Sequence, residues 1–138
     1  MNKVLLDTDI LSEILKARNS TVVSKAVAYK ENFERFTISA ITVMEVVKGL
    51  HKVGRADALE KFLGGLQAIE VLAFDENCSV VAGRIFADLE KTGQPIGRAD
   101  PMIAGIAIQR DLPLITGNTA HYERIQKLGY PLKIDNWR

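Results

Sequence analysis

Five short apolar runs alternate with longer amphipathic stretches, and this alternation constrains the fold of the chain most. The runs have the length of short buried strands and cover residues 4–6, 36–38, 69–72, 114–116 and 132–134. Apolar spacing typical of helices covers residues 10–16, 22–30, 40–52, 56–66, 78–91, 101–110 and 120–128. Strands separated by helices need crossover connections, which favour a parallel sheet covered by helices on both faces. The sequence therefore predicts a three-layer α/β fold with a parallel sheet of about five strands.

The length and charge of the chain limit its organisation and its partners. At 138 residues with 47% hydrophobic content, we expect one domain with a packed core that spans residues 1–138. The formal net charge of +1 excludes a strongly basic, histone-like binder, so any nucleic acid must meet a local basic patch. One cysteine and no signal-peptide or membrane-spanning pattern predict a cytoplasmic protein that does not contact the membrane.

Three acidic residues interrupt or open apolar segments, whereas most others lie on polar helix faces. Asp7 ends the first strand, Glu45 lies about one turn into the helix after the second strand, and Asp100 begins an apolar helix. Ligands of parallel α/β sheets bind at the edge formed by the carboxyl ends of the strands, and all three acids map to that edge. Asn118 follows the fourth strand at the same edge, and Asp9 lies two residues beyond Asp7. The sequence thus predicts a carboxylate cluster.

Carboxylates gathered in a partly desolvated cleft repel one another and need a compensating cation. Mg²⁺ or Mn²⁺ suits a cluster without histidine or cysteine ligands, because these ions prefer oxygen donors and keep several waters. Such an ion can activate a water for attack on a phosphodiester. The cluster is therefore typical of a metal-dependent hydrolase.

The same acids also have purely structural interpretations. Asp100 before Pro101 has the pattern of a helix N-cap. Thr42 and Glu45 have the spacing of a capping box, and an aspartate that ends a strand is often a turn residue. These alternatives stay open for each acid taken singly, although independent caps need not fall on one edge.

The remaining reactive side chains give weaker signals. Neither His51 nor His121 has a partner at metal-ligand spacing, although His121 is near the predicted cluster and could contact a substrate. We expect Cys78 to be a small buried apolar residue and Trp137 to pack the end of the chain against the core.

Four segments together resemble a known family. They read LLDTD at 5–9, ISA at 38–40 followed by Glu45, GQPIGRAD at 93–100 and ITGNT at 115–119. Their combination is similar to the PIN-domain ribonucleases, specifically the VapC toxins of bacterial toxin–antitoxin pairs. The resemblance extends over essentially the whole chain, including IDNW at 134–137.

The resemblance implies a PIN fold and an endoribonuclease that depends on Mg²⁺ or Mn²⁺. The family's acidic positions fall on Asp7, Glu45 and Asp100, which would hold the metal, and the fourth position is the neutral Asn118. Supporting roles near these positions fall to Asp9, Ser39 and Thr116, and contact with RNA to Arg98 and Lys48. The implied partners are tRNA, a VapB-type antitoxin that links the complex to operator DNA, and a second copy of the chain in a homodimer.

Two other functions remain as alternatives. The DTD at 7–9 also resembles haloacid-dehalogenase-type phosphatases, in which Asp7 would be a nucleophile and Ser39 would end the second motif. That family needs a late pair of acids after a strand, where this chain has Gly117 and Asn118. A non-catalytic domain that only binds an antitoxin is the other alternative, and the intact acids argue against it.

Overall fold

The computed structural model describes residues 2–138, which form five short strands and seven α-helices in alternation. The order is β1 (Leu5–Leu6), α1 (Thr8–Lys16), α2 (Ser20–Asn32), β2 (Thr37–Ser39), α3 (Ala40–Lys52), α4 (Ala56–Gly65), a 3₁₀ turn (Leu66–Ala68), β3 (Glu70–Leu72), α5 (Glu76–Lys91), α6 (Ala99–Gln109), β4 (Leu114–Ile115), α7 (Thr119–Lys127) and β5 (Ile134–Asp135). Every predicted strand and helix is present, with ends that coincide or are shifted by one or two residues. The 3₁₀ turn was not predicted.

All strand pairs are parallel, as predicted, but the expectation of one sheet of about five strands is wrong. The described residues form a three-stranded sheet in the order β1-β4-β5 and a two-stranded sheet of β2 and β3. β1 packs beside β2 without a regular ladder in this part of the chain. The amides of Leu5 and Asp7 both point to the β4 side, where they bond Pro113 and Ile115 at 2.9 Å. A two-residue strand then leaves few backbone groups facing β2.

Apolar side chains lie on both faces of the strands, which makes the three layers. Successive strand residues point to opposite faces, so Leu5 and Leu114 join one cluster while Leu6 and Ile115 join the other. The first cluster is completed mainly by α5, α6 and α7, and the second by α1, α2 and α3. Trp137 is buried in the second cluster with its ring centroid 5.7 Å from that of Tyr29, which confirms that it packs the chain end. Cys78 is a free buried thiol, also as predicted.

Two structural interpretations of the acids are wrong. Ser39, which precedes α3, caps that helix by accepting the Thr42 amide at 3.0 Å, so Thr42 and Glu45 do not form a capping box. α6 begins at Ala99, and Arg98 precedes it without a side-chain cap, so Asp100 is inside the first turn. Neither carboxylate therefore caps a helix, and both contact other groups.

None of the described helices is long and apolar enough to span a membrane.

Candidate active site

Asp7 directly follows β1 and is the most buried acid of the site, with 3% of its surface exposed. Its Oδ1 accepts the Thr8 amide at 2.9 Å and its Oδ2 accepts the Thr116 hydroxyl at 2.8 Å. Burial raises the pKa of Asp7 to about 7; these two hydrogen bonds oppose the rise, and the charges of Asp9 and Asp100 add to it. The carboxylate is therefore held in place but poorly compensated in charge.

Asp100 reaches the same place from the first turn of α6. Its Oδ2 lies 2.8 Å from His121 Nδ1, and its Oδ1 accepts the Tyr122 hydroxyl at 3.2 Å. Both partners belong to the first half of α7, so the carboxylate joins two helices. Tyr122 is fully buried, and its burial together with the nearby charges of Asp7 and Asp100 raises its pKa well above the usual value.

Asp9 lies one residue into α1 and connects two strand ends. Its Oδ1 accepts the Ile10 amide and its Oδ2 accepts the Gly117 amide, each at 2.8 Å. Burial is the main cause of the raised pKa of Asp9, and the charge of Asp100 contributes to it. The charges of Asp7, Asp9 and Asp100 thus act on one another at this edge of the sheet.

Glu45 lies near the cluster on α3 and is connected to it through Thr8. Its Oε1 accepts the Thr8 hydroxyl at 2.6 Å, while the Thr8 amide bonds Asp7. Because the single hydroxyl proton of Thr8 goes to Glu45, the Thr42 hydroxyl 2.9 Å away donates to Thr8. We refer to Asp7, Asp9, Glu45 and Asp100 together as the acidic edge.

The other predicted site residues lie around this edge. Asn118 is exposed and directly precedes α7, where its side chain makes no capping bond. Its backbone N–H donates to Thr116 Oγ1 at 3.0 Å. Thr116 therefore connects Asn118 to Asp7. Lys48 is exposed on α3 and Arg98 is exposed just before α6, and neither forms an ion pair within residues 2–138.

A protein-family model for the PIN domain matches residues 4–128. The chain is 33% identical to the tRNA(fMet)-specific endonuclease VapC of Shigella flexneri over 126 residues, which cover 91% of this chain and 93% of that protein. The chain belongs to the VapC family of PIN domains. It is also 32% identical to the tRNA(fMet)-specific endonuclease VapC of Salmonella typhimurium, with 99% of each chain covered. The crystal structure of DNA-bound VapBC from Salmonella typhimurium matches it with a TM-score of 0.82, 31% identity and 100% of both chains covered. The resemblance inferred from the motifs is confirmed, and the phosphatase alternative is not favoured.

Three residues of this VapC-family chain contribute to the acidic edge although the sequence did not predict them there. Thr8 joins Glu45 to Asp7, and Tyr122 contacts Asp100. Arg138 places Nη2 3.5 Å from Asp9 Oδ2 and 3.2 Å from Glu13 Oε1, and it packs over Gly117. The burial of Tyr122 could have been read from helical spacing, since Ile125 on the same face is also buried. No sequence pattern connects Arg138 to the first helix.

The donor atoms of the acidic edge fit a hard divalent cation. Within residues 2–138, no three histidine, cysteine, aspartate or glutamate side chains are placed so that they could hold a metal ion. Mg²⁺ needs only one or two protein carboxylates, because waters and substrate phosphate complete its coordination. Burial raises the pKa of Asp7 and the charges of Asp9 and Asp100 add to the rise, so a bound cation would stabilise the ionised carboxylate. The chemistry of the donors therefore suits Mg²⁺ or Mn²⁺.

Proposed function

We propose that this VapC-family chain is a divalent-metal-dependent endoribonuclease that acts as the toxin of a type II toxin–antitoxin pair and cleaves tRNA. The observation that carries the proposal is the acidic edge, in which the charges of Asp9 and Asp100 act on the buried carboxylate of Asp7, whose pKa is raised to about 7 mainly by burial. A folded protein gains nothing in stability from such a cluster, so its presence points to function. Relatives named as tRNA-specific endonucleases support the substrate class.

We assign the metal to the carboxylates of Asp7, Glu45 and Asp100, of which one or two would bind it directly and the rest through bound water, with a smaller contribution from the neutral Asn118. Mg²⁺ or Mn²⁺ bound there would supply an activated water and positive charge for the leaving oxygen. The protein's own part is to hold the carboxylates. Thr116 orients Asp7, and Thr8 orients Glu45.

Two further residues hold the backbone segments that carry Glu45 and Asn118. Ser39 caps α3, the helix that carries Glu45, by accepting the Thr42 amide. Asp9 binds the Gly117 amide and so positions the loop that carries Asn118. Arg98 precedes the helix that carries Asp100, and Lys48 lies on the helix that carries Glu45. Both are exposed cations, and we assign them to RNA phosphates.

The partners follow from the relatives. The VapC of Salmonella typhimurium is seen with its antitoxin on DNA. We propose that this chain likewise pairs with a VapB-type antitoxin, which covers the acidic edge and alone contacts operator DNA. We also propose a homodimer, and a cytoplasmic site of action where tRNA is found.

Purified protein incubated with total tRNA and Mg²⁺ or Mn²⁺ tests the function. We expect cleavage that EDTA abolishes and that either metal restores. Asp7→Ala, Glu45→Gln and Asp100→Asn should each lower the cleavage rate by about 100-fold or more, and Asn118→Ala by about tenfold or less. Induction in cells should stop growth for the wild type alone. Asp57→Asn, an exposed acid of α4, is the matched control and should behave as the wild type.

The ends of the cut RNA provide a second test of the chemistry. Cleavage through the RNA's own 2′-hydroxyl needs an acid and a base, usually two histidines, on opposite sides of the phosphate. Only His121 lies at the acidic edge, because His51 is exposed in the last turn of α3. Attack by water leaves a 5′-phosphate and a 3′-hydroxyl, which we expect to find. Cleavage that continues in EDTA, or 2′,3′-cyclic phosphate ends, would contradict the proposal.

A further inference from the structure

His121 lies next to the acidic edge, and the proposed function assigns it no role. It lies in the first turn of α7, with Nδ1 2.8 Å from Asp100 Oδ2 and with 42% of its side chain exposed. An ionised carboxylate has no proton to give, so the ring must donate from Nδ1. That hydrogen bond fixes the tautomer of the neutral ring and leaves a lone pair on Nε2. Among residues 2–138, Nε2 has no hydrogen-bond partner.

A purely structural contact between α7 and α6 does not explain the histidine. Tyr122, the next residue, already connects α7 to Asp100 through its hydroxyl, and its side chain is fully buried. Anchoring is thus provided by the buried neighbour. The ring of His121 is partly exposed beside Asp100, so its Nε2 is available to accept a hydrogen bond from a molecule bound at the acidic edge.

An acceptor at this position distinguishes one group of the sugar–phosphate backbone of RNA. Phosphate and ring oxygens of the sugar–phosphate backbone only accept hydrogen bonds, whereas the ribose 2′-hydroxyl can donate. This hydroxyl is also the group that distinguishes RNA from DNA at a given position. We propose that His121 Nε2 accepts a hydrogen bond from a ribose 2′-hydroxyl of the bound strand and so contributes to the preference for RNA over DNA. The inference rests on the proposed ribonuclease function, and it makes His121 a substrate-binding residue that takes no part in bond cleavage.

Modified substrates test the contact directly. A short RNA that contains the cleavage site is made with a single 2′-deoxy or 2′-fluoro nucleotide at the cleaved position and at each neighbour. The 2′-fluoro sugar is useful because it keeps an RNA-like pucker but cannot donate a hydrogen bond. His121→Asn is the main variant, since its amide can still donate to Asp100 near the place of Nδ1 while nothing replaces Nε2. His121→Ala is the second variant, and His51→Asn is the matched control on exposed histidine.

We measure single-turnover cleavage rates, and the affinity of the same RNAs for protein in the inactive Glu45→Gln background. At one position, both modifications should weaken binding and kcat/KM of the wild type by about 3- to 10-fold, the size of one net hydrogen bond. His121→Asn and His121→Ala should lose a similar factor on unmodified RNA and nothing further on the modified strand. His51→Asn should show the same loss of binding and of kcat/KM on the 2′-modified strands as the wild type.

Each other result overturns the inference in a recognisable way. If the variants keep the full penalty for 2′-deoxy and 2′-fluoro, another residue recognises the hydroxyl. If no position shows a penalty in the wild type, no such contact exists. A wild type that cleaves no unmodified RNA overturns the proposed function itself, as do cyclic phosphate ends, because the hydroxyl would then be the nucleophile.

Discussion

At the scale of single residues, the carboxylate of Asp7 is buried in a place that disfavours its negative charge. Its two hydrogen bonds favour the ionised carboxylate, but loss of water and two neighbouring acids outweigh them and raise its pKa to about 7. An aspartate that protonates so readily is a poor choice for stability alone. The conflict is resolved if a cation binds, because the ion replaces the lost hydration and compensates the charge.

Asp7→Asn should therefore stabilise the metal-free protein, with a defined pH dependence. The folded pKa of Asp7 is higher than the unfolded value, so its contribution to stability is complete below about pH 4 and is lost as pH rises toward 7. Asparagine does not titrate and keeps an acceptor for the Thr8 amide. In EDTA, the variant should gain on the order of 3 kcal/mol over the wild type at pH 8, and little at pH 4.

Chemical denaturation at several pH values measures this difference. Saturating Mg²⁺ should reduce the gain at pH 8, because the ion stabilises only the protein that binds it. Asp57→Asn is again the control. A gain that is equal at pH 4 and pH 8 would show that the charge of Asp7 is not the cause.

How far sequence could predict the site depends on how local each contact is. Asp7, Glu45 and Asp100 could be placed because a strand end or helix start fixes where each side chain begins. The partners of the acids could not, because they depend on how distant elements pack. His121 meets Asp100 across 21 positions of sequence, and Arg138 meets Glu13 across 125. His121 has no partner at metal-ligand spacing, so almost nothing in the sequence indicated its contact with Asp100.

At the scale of elements, α6 positions Asp100 through its contact with α5. The two helices approach closely at Gly105, where a Cβ would lie 2.9 Å from the Cys78 carbonyl oxygen and 3.2 Å from Ala82 Cβ. Backbone is the nearest obstacle, so no side-chain rotation relieves it. The glycine thus sets the distance between the helices and, with it, the position of the first turn of α6.

Gly105→Ala should lower the free energy of unfolding by about 1–3 kcal/mol, as overpacking does in other cores. The matched control is Gly83→Ala on α5, where a Cβ meets nothing within 4 Å. That change should raise stability by about 0.5–1 kcal/mol, because alanine favours the helix. Thermal denaturation of both variants measures the contrast. Equal effects in the two variants would mean that α5 and α6 separate without penalty.

The elements themselves were more predictable than their connections. Hydrophobic spacing found all seven helices, since each has a long apolar stripe to bury. The split into a three-stranded and a two-stranded sheet could not be foreseen, because strands of two or three residues carry too little pattern to fix their ladders. The signal of Asp100 before Pro101 was also misleading. Pro101 is tolerated anywhere in the first turn, where amides are unpaired, so it did not mark the first residue.

At the scale of the whole molecule, the two edges of the strands differ in charge although the net charge is only +1. The acidic edge collects carboxylates at the carboxyl ends of the strands. At the opposite edge, a shallow depression of about 230 Å³ contains Lys3, which pairs with Glu70 at 2.5 Å while Thr37 donates to the same carboxylate at 2.7 Å. Lys3 is thus neutralised within the protein, which leaves Lys48 and Arg98 as the cations that we assign to RNA at the acidic edge.

Binding of RNA should therefore depend only modestly on salt. Counterion release gives a slope of log K against log salt of about −0.7 per phosphate contact on a single strand, so two or three contacts predict a slope of about −1.5 to −2. Measured in the inactive Glu45→Gln background at constant Mg²⁺, Lys48→Gln and Arg98→Gln should each flatten the slope by about 0.7. Lys25→Gln, an exposed lysine on α2, should leave it unchanged. A slope steeper than about −4 would require more phosphate contacts than two cations beside the acidic edge can make, and RNA would then have to cross a different face.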